Sequence, residues 1–227
     1  MNIVFPMAGR GTRFEGYSNY PKPLIYINNK SMIQHSVESC GLDGQYIFII
    51  RPEHREFGVI EHLRNIKPDC KIKMAFEPQS GQASAILFAK DLIDNDQYLI
   101  MSDCDRSAGW DHQIDNDLDG FIMVKEMQGK QYAFVKVDEN EHIIETAEKK
   151  EISHLANIGL FGFKEGRKFI KYYNRMVEKN LRVNNEFYIC PVYNQGIEAG
   201  QKYGIKRSDW YYDFGTPEAL ENSKGRL

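Results

Sequence analysis

The amino-acid sequence predicts an α/β protein with a mixed, mainly parallel central sheet. In the first half, short apolar runs alternate with helical patterns, which is typical of parallel strands joined by crossover helices. In the second half, strand patterns follow one another closely, which indicates antiparallel additions to the same sheet. The predicted strands lie at 2–6, 46–50, 72–76, 97–101, 120–125, 132–137, 142–147 and 157–163, and the predicted helices near 31–41, 54–65, 82–93, 165–179 and 186–199.

Several of these elements carry signals at their ends. Ser31 is followed three residues later by Gln34, which is the pattern of a capping box, and Gly41 marks the end of the same helix. Further along, Thr216 precedes Pro217, and this pair predicts a short helix with a threonine cap and a proline in its first turn.

Composition limits the classes of function. The chain has 227 residues and a formal net charge of −3 without a basic block, which argues against sequence-independent nucleic-acid binding. The four cysteines form no Cys-x-x-Cys pair and the six histidines show no metal-ligand spacing, so we expect free thiols in a reducing cytoplasm. The longest apolar runs are too short to span a bilayer. We expect one soluble domain over 1–227, and the oligomeric state stays open.

The segment Gly-Arg-Gly-Thr-Arg, directly after the first predicted strand, predicts a polyphosphate site. Gly9 and Gly11 let the main chain approach an anion and direct N–H groups at it. Arg13 adds a planar fork, and Lys22, within Pro-Lys-Pro, adds a point charge. A dinucleotide fingerprint would require a third glycine where Phe14 stands, and the Gly-Lys-Ser/Thr of a P-loop does not occur.

Acidic residues stand at positions that could meet this loop. In open α/β sheets, ligands bind at the carboxyl ends of parallel strands, so the residues after the first, third and fourth predicted strands should converge on one cleft. Asp103 and Asp105 follow the fourth of these strands, and two carboxylates at this spacing suit a hard cation shared with substrate phosphates. Asp213 stands among aromatic residues, where a carboxylate is costly to bury unless it meets a cation or several donors.

These segments resemble the signature of the sugar-1-phosphate nucleotidylyltransferases, also called NDP-sugar pyrophosphorylases. The loop and Pro-Lys-Pro carry the resemblance together with Glu-Pro-Gln-Ser-Gly-Gln-Ala at 77–83, Ser-Asp-Cys-Asp at 102–105 and Trp-Tyr-Tyr-Asp-Phe-Gly-Thr at 210–216. The stretch 182–194, which contains Asn-Asn-Glu-Phe-Tyr, resembles the capsule-type, short single-domain branch that includes cytidylyltransferases such as those for phosphoglutamine. The resemblance implies a three-layer, Rossmann-like (GT-A-like) nucleotidyltransferase fold, with a nucleotide-binding half over about 1–110 and an acceptor-binding half over about 111–227.

The resemblance also implies a role for individual residues. Arg13 would contact the triphosphate, Lys22 would hold the reacting groups, and Lys149 would contact the acceptor phosphate, although Glu-Lys-Lys here departs from the family's Glu-Lys-Pro. Gln79 would read the base. The full implied nucleotide-binding set is Ala8, Gly9, Gly11, Thr12, Gln79, Gly81 and Asp103.

For the cofactor, the resemblance implies Mg²⁺ held by Asp105 and Asp213. The acceptor would be bound by Asn157, Gly159, Glu186 and Tyr188.

Together these assignments predict transfer of a nucleoside monophosphate from an NTP (CTP, dTTP or UTP) to a small phosphorylated acceptor, such as a sugar 1-phosphate, with release of pyrophosphate. Three alternatives stay open: a CTP-dependent cytidylyltransferase for phosphoglutamine or phosphocholine, a GT-A glycosyltransferase with its metal-binding Asp-x-Asp, and a non-catalytic nucleotide sensor. The loop and Pro-Lys-Pro argue against the glycosyltransferase, and the presence of both metal acids and both lysines argues against the sensor. We expect no nucleic-acid or membrane partner.

Overall fold

A computed structural model describes residues 1–77 and 80–227 of the chain. Within that part the strands are β1 (Asn2–Pro6), β2 (Tyr26–Ile27), β3 (Lys30–Ser31), β4 (Gln45–Ile50), β5 (Lys71–Met74), β6 (Leu99–Ser102), β7 (Arg106–Ala108), β8 (Gly120–Glu126), β9 (Ala133–Val137), β10 (Ile143–Glu148), β11 (Leu155–Phe163), β12 (Tyr203–Arg207) and β13 (Tyr211–Asp213). The α-helices are α1 (Met32–Cys40), α2 (Val59–Ile66), α3 (Gln82–Ile86), α4 (Lys90–Ile93), α5 (Gly166–Glu178), α6 (Cys190–Ile197) and α7 (Pro217–Lys224).

The central sheet joins both halves of the chain. Its strand order is β10-β9-β11-β6-β1-β4-β5, and β8 pairs with both β11 and β12. Strands β1, β4, β5 and β6 are parallel to their neighbours within the first half, whereas β11 runs antiparallel to β6, β8 and β9. The mixed sheet with flanking helices confirms the predicted fold class.

Apolar side chains cover the sheet on both faces because successive residues of a strand point to opposite sides. On β1, Val4 belongs to the buried cluster beneath α5 and α6, while Ile3 and Phe5 belong to the cluster beneath α1 and α2. A third, smaller cluster joins the loop after β1 to α7, through Phe14, Ile25, Ile27, Met32, Phe214 and Leu220. The phosphate loop and the last helix are therefore packed against each other.

The predicted helix ends are confirmed. The Ser31 hydroxyl accepts a hydrogen bond from the backbone N–H of Gln34 at 3.2 Å, and Gly41 has the left-handed φ of 63° that closes α1. The Gln34 side chain donates to Glu38 instead, so only half of the capping box forms. At α7, the Thr216 hydroxyl accepts from the backbone N–H of Ala219 at 3.1 Å.

Three predicted helices differ from the structure. The helix near 54–65 is a 3₁₀ segment, Pro52–Phe57, followed by α2, because Gly58 adopts a left-handed φ of 67° between them. The helix near 82–93 is divided into α3, a 3₁₀ turn and α4.

The helix predicted to begin at residue 186 begins at Cys190. The backbone of Phe187 is engaged elsewhere: its N–H donates to Ser80 O at 2.6 Å, and its carbonyl accepts from Ala83 N at 2.9 Å. These two bonds join the segment before α6 to the start of α3. No helix of the described residues is long and apolar enough to cross a membrane.

Candidate active site

A cleft of about 890 Å³ opens at the carboxyl ends of β1, β4 and β6, which is where ligands bind in open α/β sheets. The residues singled out from the sequence that line this cleft are Ala8, Gly9, Gly11, Thr12, Arg13, Lys22, Gly81, Asp103, Asp105, Lys149, Asn157, Gly159, Glu186, Tyr188 and Asp213. Gln79 lies outside the described residues. Side chains more than two hundred positions apart thus border one space, although their roles stay predictions.

The loop after β1 forms one wall of the cleft. Gly11 has a φ of 67°, which a residue with a side chain rarely adopts, and it leads into a single 3₁₀ turn over Thr12–Phe14. Phe14 is buried in the cluster shared with α7, so the loop is anchored from below. Arg13, in contrast, is exposed, and no carboxylate of the described residues forms an ion pair with it. Its guanidinium is therefore free to meet an anion.

Lys22 and Asp105 form an ion pair in the centre of the cleft. Burial acts against both charges, but the ion pair outweighs it, so the pKa of Asp105 is lowered and the pKa of Lys22 is raised. Both groups are charged at neutral pH. Lys22 is thus bound to the carboxylate that was expected to hold a metal ion. Binding of a metal ion by Asp105 would require the Lys22 ammonium group to move to another anion.

Asp213 reaches the same place through a short two-stranded ladder. Strand β13 pairs antiparallel with β7, with Asp213 opposite Arg106, and Phe214 N donates to Asp105 O at 2.9 Å. A Cβ built on Gly215 would lie 2.9 Å from Asp213 Oδ1 and 3.4 Å from Asp105 Oδ2, so the two carboxylates border one small space that glycine leaves open. Burial raises the pKa of Asp213, and the negative charge of Asp105 raises it further.

Asp103 lines the same cleft and is held by neighbouring residues. Gln82 Nε2 donates to its carboxylate, and its backbone N–H donates to Gly159 O at 2.8 Å. Gly159 has a φ of 79°, and a Cβ there would collide with the Asp103 carboxylate. Burial, and then the charge of Asp105, raise the pKa of Asp103 to about 8. Asp103 is thus a hydrogen-bonded neighbour of the Asp105 site rather than a second open carboxylate.

At the other end of the cleft, Lys149 and Tyr188 meet. Lys149 Nζ donates to Tyr188 Oη at 2.6 Å and lies 4.6 Å from the centre of the same ring. Glu148, directly before Lys149, receives no hydrogen bond or ion pair from the described side chains. Burial raises the pKa of Glu148 to about 7, and the nearby Glu186 adds to the shift while Lys149 opposes it. This end combines one cation with a carboxyl group that has no partner among the described side chains.

Some cleft residues were not singled out from the sequence. Arg51 follows β4 directly, so the rule that ligands meet strand ends could have found it. Glu148 was quoted only as part of a motif, and Gln82 was passed over for Gln79. No sequence pattern pointed to Gly215. It matters because its missing side chain leaves a space between Asp105 and Asp213, which are distant in sequence.

The chemistry of the two acids fits a hard divalent cation, since Asp105 and Asp213 border a space without a side chain, burial acts against both charges, and the charge of Asp105 acts on Asp213. Within residues 1–77 and 80–227, no group of three or more His, Cys, Asp or Glu side chains could hold a metal by itself. A magnesium ion here would therefore depend on two carboxylates together with substrate oxygens and waters, as Mg²⁺ commonly does.

Comparison with known proteins agrees with this geometry. The model of the family described as "Nucleotidyl transferase" matches residues 7–225. Among curated proteins, the bifunctional protein GlmU of Methanocaldococcus jannaschii is 27% identical over 99% of this chain and 54% of its own length, so the chain spans about half of that relative. The UTP–glucose-1-phosphate uridylyltransferase AglF of Haloferax volcanii is 24% identical, with 100% of this chain and 96% of the relative covered.

Solved structures show the same fold. The nucleoside-diphosphate-sugar pyrophosphorylase of Vibrio cholerae RC9 superimposes with a TM-score of 0.86 at 24% identity, covering 99% of this chain and 100% of that one. A UDP-glucose pyrophosphorylase complexed with UDP-glucose gives a TM-score of 0.78 at 19% identity, covering 99% and 97%. The match to the family model confirms a nucleotidyl transferase, whereas the capsule-type branch stays a prediction.

Proposed function

Because the chain belongs to the nucleotidyl transferase family, we propose that it transfers a nucleoside monophosphate from an NTP to the phosphate of a small phosphorylated acceptor. The observation that carries this proposal is that the loop after β1, the pair Asp105 and Asp213, and Lys149 line one cleft. An oxygen of the acceptor phosphate would attack the α-phosphorus, and the bond from that phosphorus to the bridging oxygen of the β-phosphate would break. The pyrophosphate leaves with the bonding electrons, and no general base is needed because the attacking phosphate is already ionised.

Charge neutralisation is the main task of the protein in such a reaction, since both reactants are anions. The backbone N–H groups of the loop and the unpaired Arg13 guanidinium would bind the β- and γ-phosphates. Lys22, now paired with Asp105, would exchange that carboxylate for a phosphate oxygen when the NTP binds. Lys149 lies at the far end of the cleft and would orient the attacking phosphate.

We propose Asp105 and Asp213 as the residues that would hold Mg²⁺. When bound, such an ion supplies further positive charge at the reacting phosphates. The space that Gly215 leaves between the two carboxylates supports this assignment.

For the acceptor, a sugar 1-phosphate agrees with the similarity of this chain to a glucose-1-phosphate uridylyltransferase. A second candidate is a cytidylyltransferase for an acceptor that carries an ammonium group, such as phosphocholine or phosphoglutamine. The observation that favours it is the carboxyl-rich acceptor end, where Glu148 lacks a partner and Glu186 lies nearby. Ammonium groups are commonly bound by carboxylates and aromatic rings, and Tyr188 supplies such a ring.

The test is pyrophosphate release from each of the four NTPs with a panel of acceptors that includes glucose 1-phosphate, glucosamine 1-phosphate and phosphocholine, with Mg²⁺ present. We expect release that requires both an NTP and an acceptor. Release with glucose 1-phosphate but not with phosphocholine would support the first candidate, and release with phosphocholine but with neither sugar 1-phosphate would support the second. No release from any combination would contradict the proposed function, because neither a glycosyltransferase nor a sensor liberates pyrophosphate.

A further inference from the structure

We propose that Arg51 binds the pyrophosphate portion of the NTP, together with the arginines of the loop after β1; this rests on the proposed function. Arg51 follows β4 directly, and its side chain lines the cleft. Strand β4 is the parallel neighbour of β1, from which the phosphate loop emerges: Pro6 is opposite Ile49, and Met7 N donates to Ile49 O at 2.8 Å. The residues after these two strands therefore leave the sheet side by side.

A ring contact shows that the two segments stay close beyond the strand ends. The chain that continues from the phosphate loop places Tyr20 against Phe57, with ring centres 6.2 Å apart. Phe57 closes the 3₁₀ segment Pro52–Phe57 that begins right after Arg51. Arg51 thus stands at the start of the 3₁₀ segment that contacts the chain following the phosphate loop.

The sheet order separates Arg51 from the acceptor end. Lys149 follows β10 at one edge of the sheet, and strands β9, β11, β6 and β1 lie between β10 and β4. Of the cations that line the cleft, Lys22 is paired with Asp105 and Lys149 is bonded to Tyr188. Arg10 and Arg13 of the loop also line it, and neither forms an ion pair with a described side chain. A triphosphate carries more negative charge than the two loop arginines balance, and the guanidinium fork is the side chain best shaped for two phosphate oxygens.

In the structure, Arg51 Nη2 is 2.5 Å from Glu53 Oε1. The Glu53 side chain is 59% exposed, whereas that of Arg51 is 29% exposed. An ion pair with one partner so open to water contributes little to stability, so a phosphate can replace the Glu53 carboxylate. Glu53 thereby competes with the anionic ligand for Arg51, and its removal should have the opposite effect to removal of Arg51.

The experiment measures binding of inorganic pyrophosphate by calorimetry, and product inhibition by pyrophosphate during turnover, with Mg²⁺ present. For Arg51→Gln we expect pyrophosphate binding to weaken by about 10- to 100-fold, because a charge-assisted hydrogen bond is lost. The KM for the acceptor should stay within about twofold, since Arg51 is remote from Lys149. For Glu53→Gln we expect tighter pyrophosphate binding.

Arg55→Gln is the matched control, because it removes the same charge from the same turn at an exposed residue that does not line the cleft. It should bind pyrophosphate within about twofold of the parent protein. Unchanged pyrophosphate binding in Arg51→Gln, weaker binding in Glu53→Gln, or an equal loss in Arg55→Gln would overturn the proposal. Absence of turnover in the parent protein would instead contradict the proposed function, and the calorimetry would still decide the assignment of Arg51.

Discussion

The proposed nucleotide end of the cleft has an ion pair at its centre, whereas the proposed acceptor end keeps a half-buried carboxyl group, Glu148, that has no partner among the described side chains. Lys22 and Asp105 balance each other at the first end. At the second, Lys149 bonds to a neutral hydroxyl, and Glu148 receives no hydrogen bond or ion pair from the described side chains. When a ligand binds at the first end, Lys22 exchanges the Asp105 carboxylate for a ligand group. When a ligand binds at the second end, Glu148 gains a partner.

This difference separates two tasks. At the paired end, ligand binding costs the ion pair of Lys22, so tight binding there requires a highly charged ligand such as a triphosphate. At the unpaired end, a ligand that donates a hydrogen bond to Glu148 offsets the cost of burying that carboxylate. A ligand without a donor leaves this cost in place. We infer that the nucleotide end serves mainly neutralisation and the acceptor end mainly selection.

The largest loss of activity is expected when Asp105 or Asp213 is substituted. Asp105→Asn and Asp213→Asn should each lower kcat by about 10²–10³, and the double change should cost little more, because ligands of one ion act as a unit. Gly215→Ala should also weaken activation by Mg²⁺, since its methyl group fills the space between two intact carboxylates. The measurement is the Mg²⁺ dependence of pyrophosphate release.

Asp209→Asn is the control for this series, because Asp209 is exposed just before β13 and does not line the cleft. Its kcat and Mg²⁺ dependence should match the parent protein. Simple additivity of the two aspartate changes would show that Asp105 and Asp213 belong to separate sites.

A smaller effect is expected at Lys149. Lys149→Ala should raise the acceptor KM by about tenfold or more with little change in the KM for the NTP, since it removes an orienting contact at the acceptor end only. Lys150→Ala provides the control, because Lys150 is the exposed neighbour and does not line the cleft. A higher KM for the NTP in Lys149→Ala would contradict the proposal that the two ends of the cleft bind different substrates.

The smallest effect concerns stability at the unpaired end. Burial raises the pKa of Glu148 from 4.5 to about 7, so the folded protein holds this proton more tightly than the unfolded chain does. Stability is therefore lost as the pH rises from about 4.5 through 7. Glu148→Gln should be more stable than the parent protein by about 1–3 kcal/mol at pH 8, and this difference should vanish near pH 4.5.

Urea unfolding at both pH values checks this prediction. Glu145→Gln, at an exposed position of the same strand, is the control and should show the same small change at each pH. If Glu148→Gln gives no greater stability at pH 8, Glu148 has a partner in solution and the contrast between the two ends is wrong.

The sequence predicted the parallel half of the cleft well because strand ends and short motifs are local signals. The loop after β1 and the acids after β6 both stand directly behind apolar strands, and the sheet then brings them together. Arg51 obeys the same rule, but no neighbouring motif drew attention to it.

Other features depend on tertiary pairing that no local pattern encodes. Asp213 meets Asp105 only because β13 pairs with β7, and both strands are three residues long. The ion pair between Lys22 and Asp105 likewise joins residues 83 positions apart. The resemblance to a family suggested that these residues share a site, but it did not predict that Lys22 would form an ion pair with Asp105.

The pairing of β13 with β7 also has a consequence for how the protein is made. Strand β7 can fold early, yet its partner is synthesised about a hundred residues later, and α7 then fixes the ladder through the Ser223 hydroxyl, which donates to Asp213 O at 3.0 Å. Contacts between such distant segments form late in folding. A chain cut short before Asp213 would lack the second acid and also Phe214 and Leu220, which belong to the same buried cluster as Phe14 of the loop. An incompletely synthesised copy would therefore lose one carboxylate of the cleft and the anchor of the loop together.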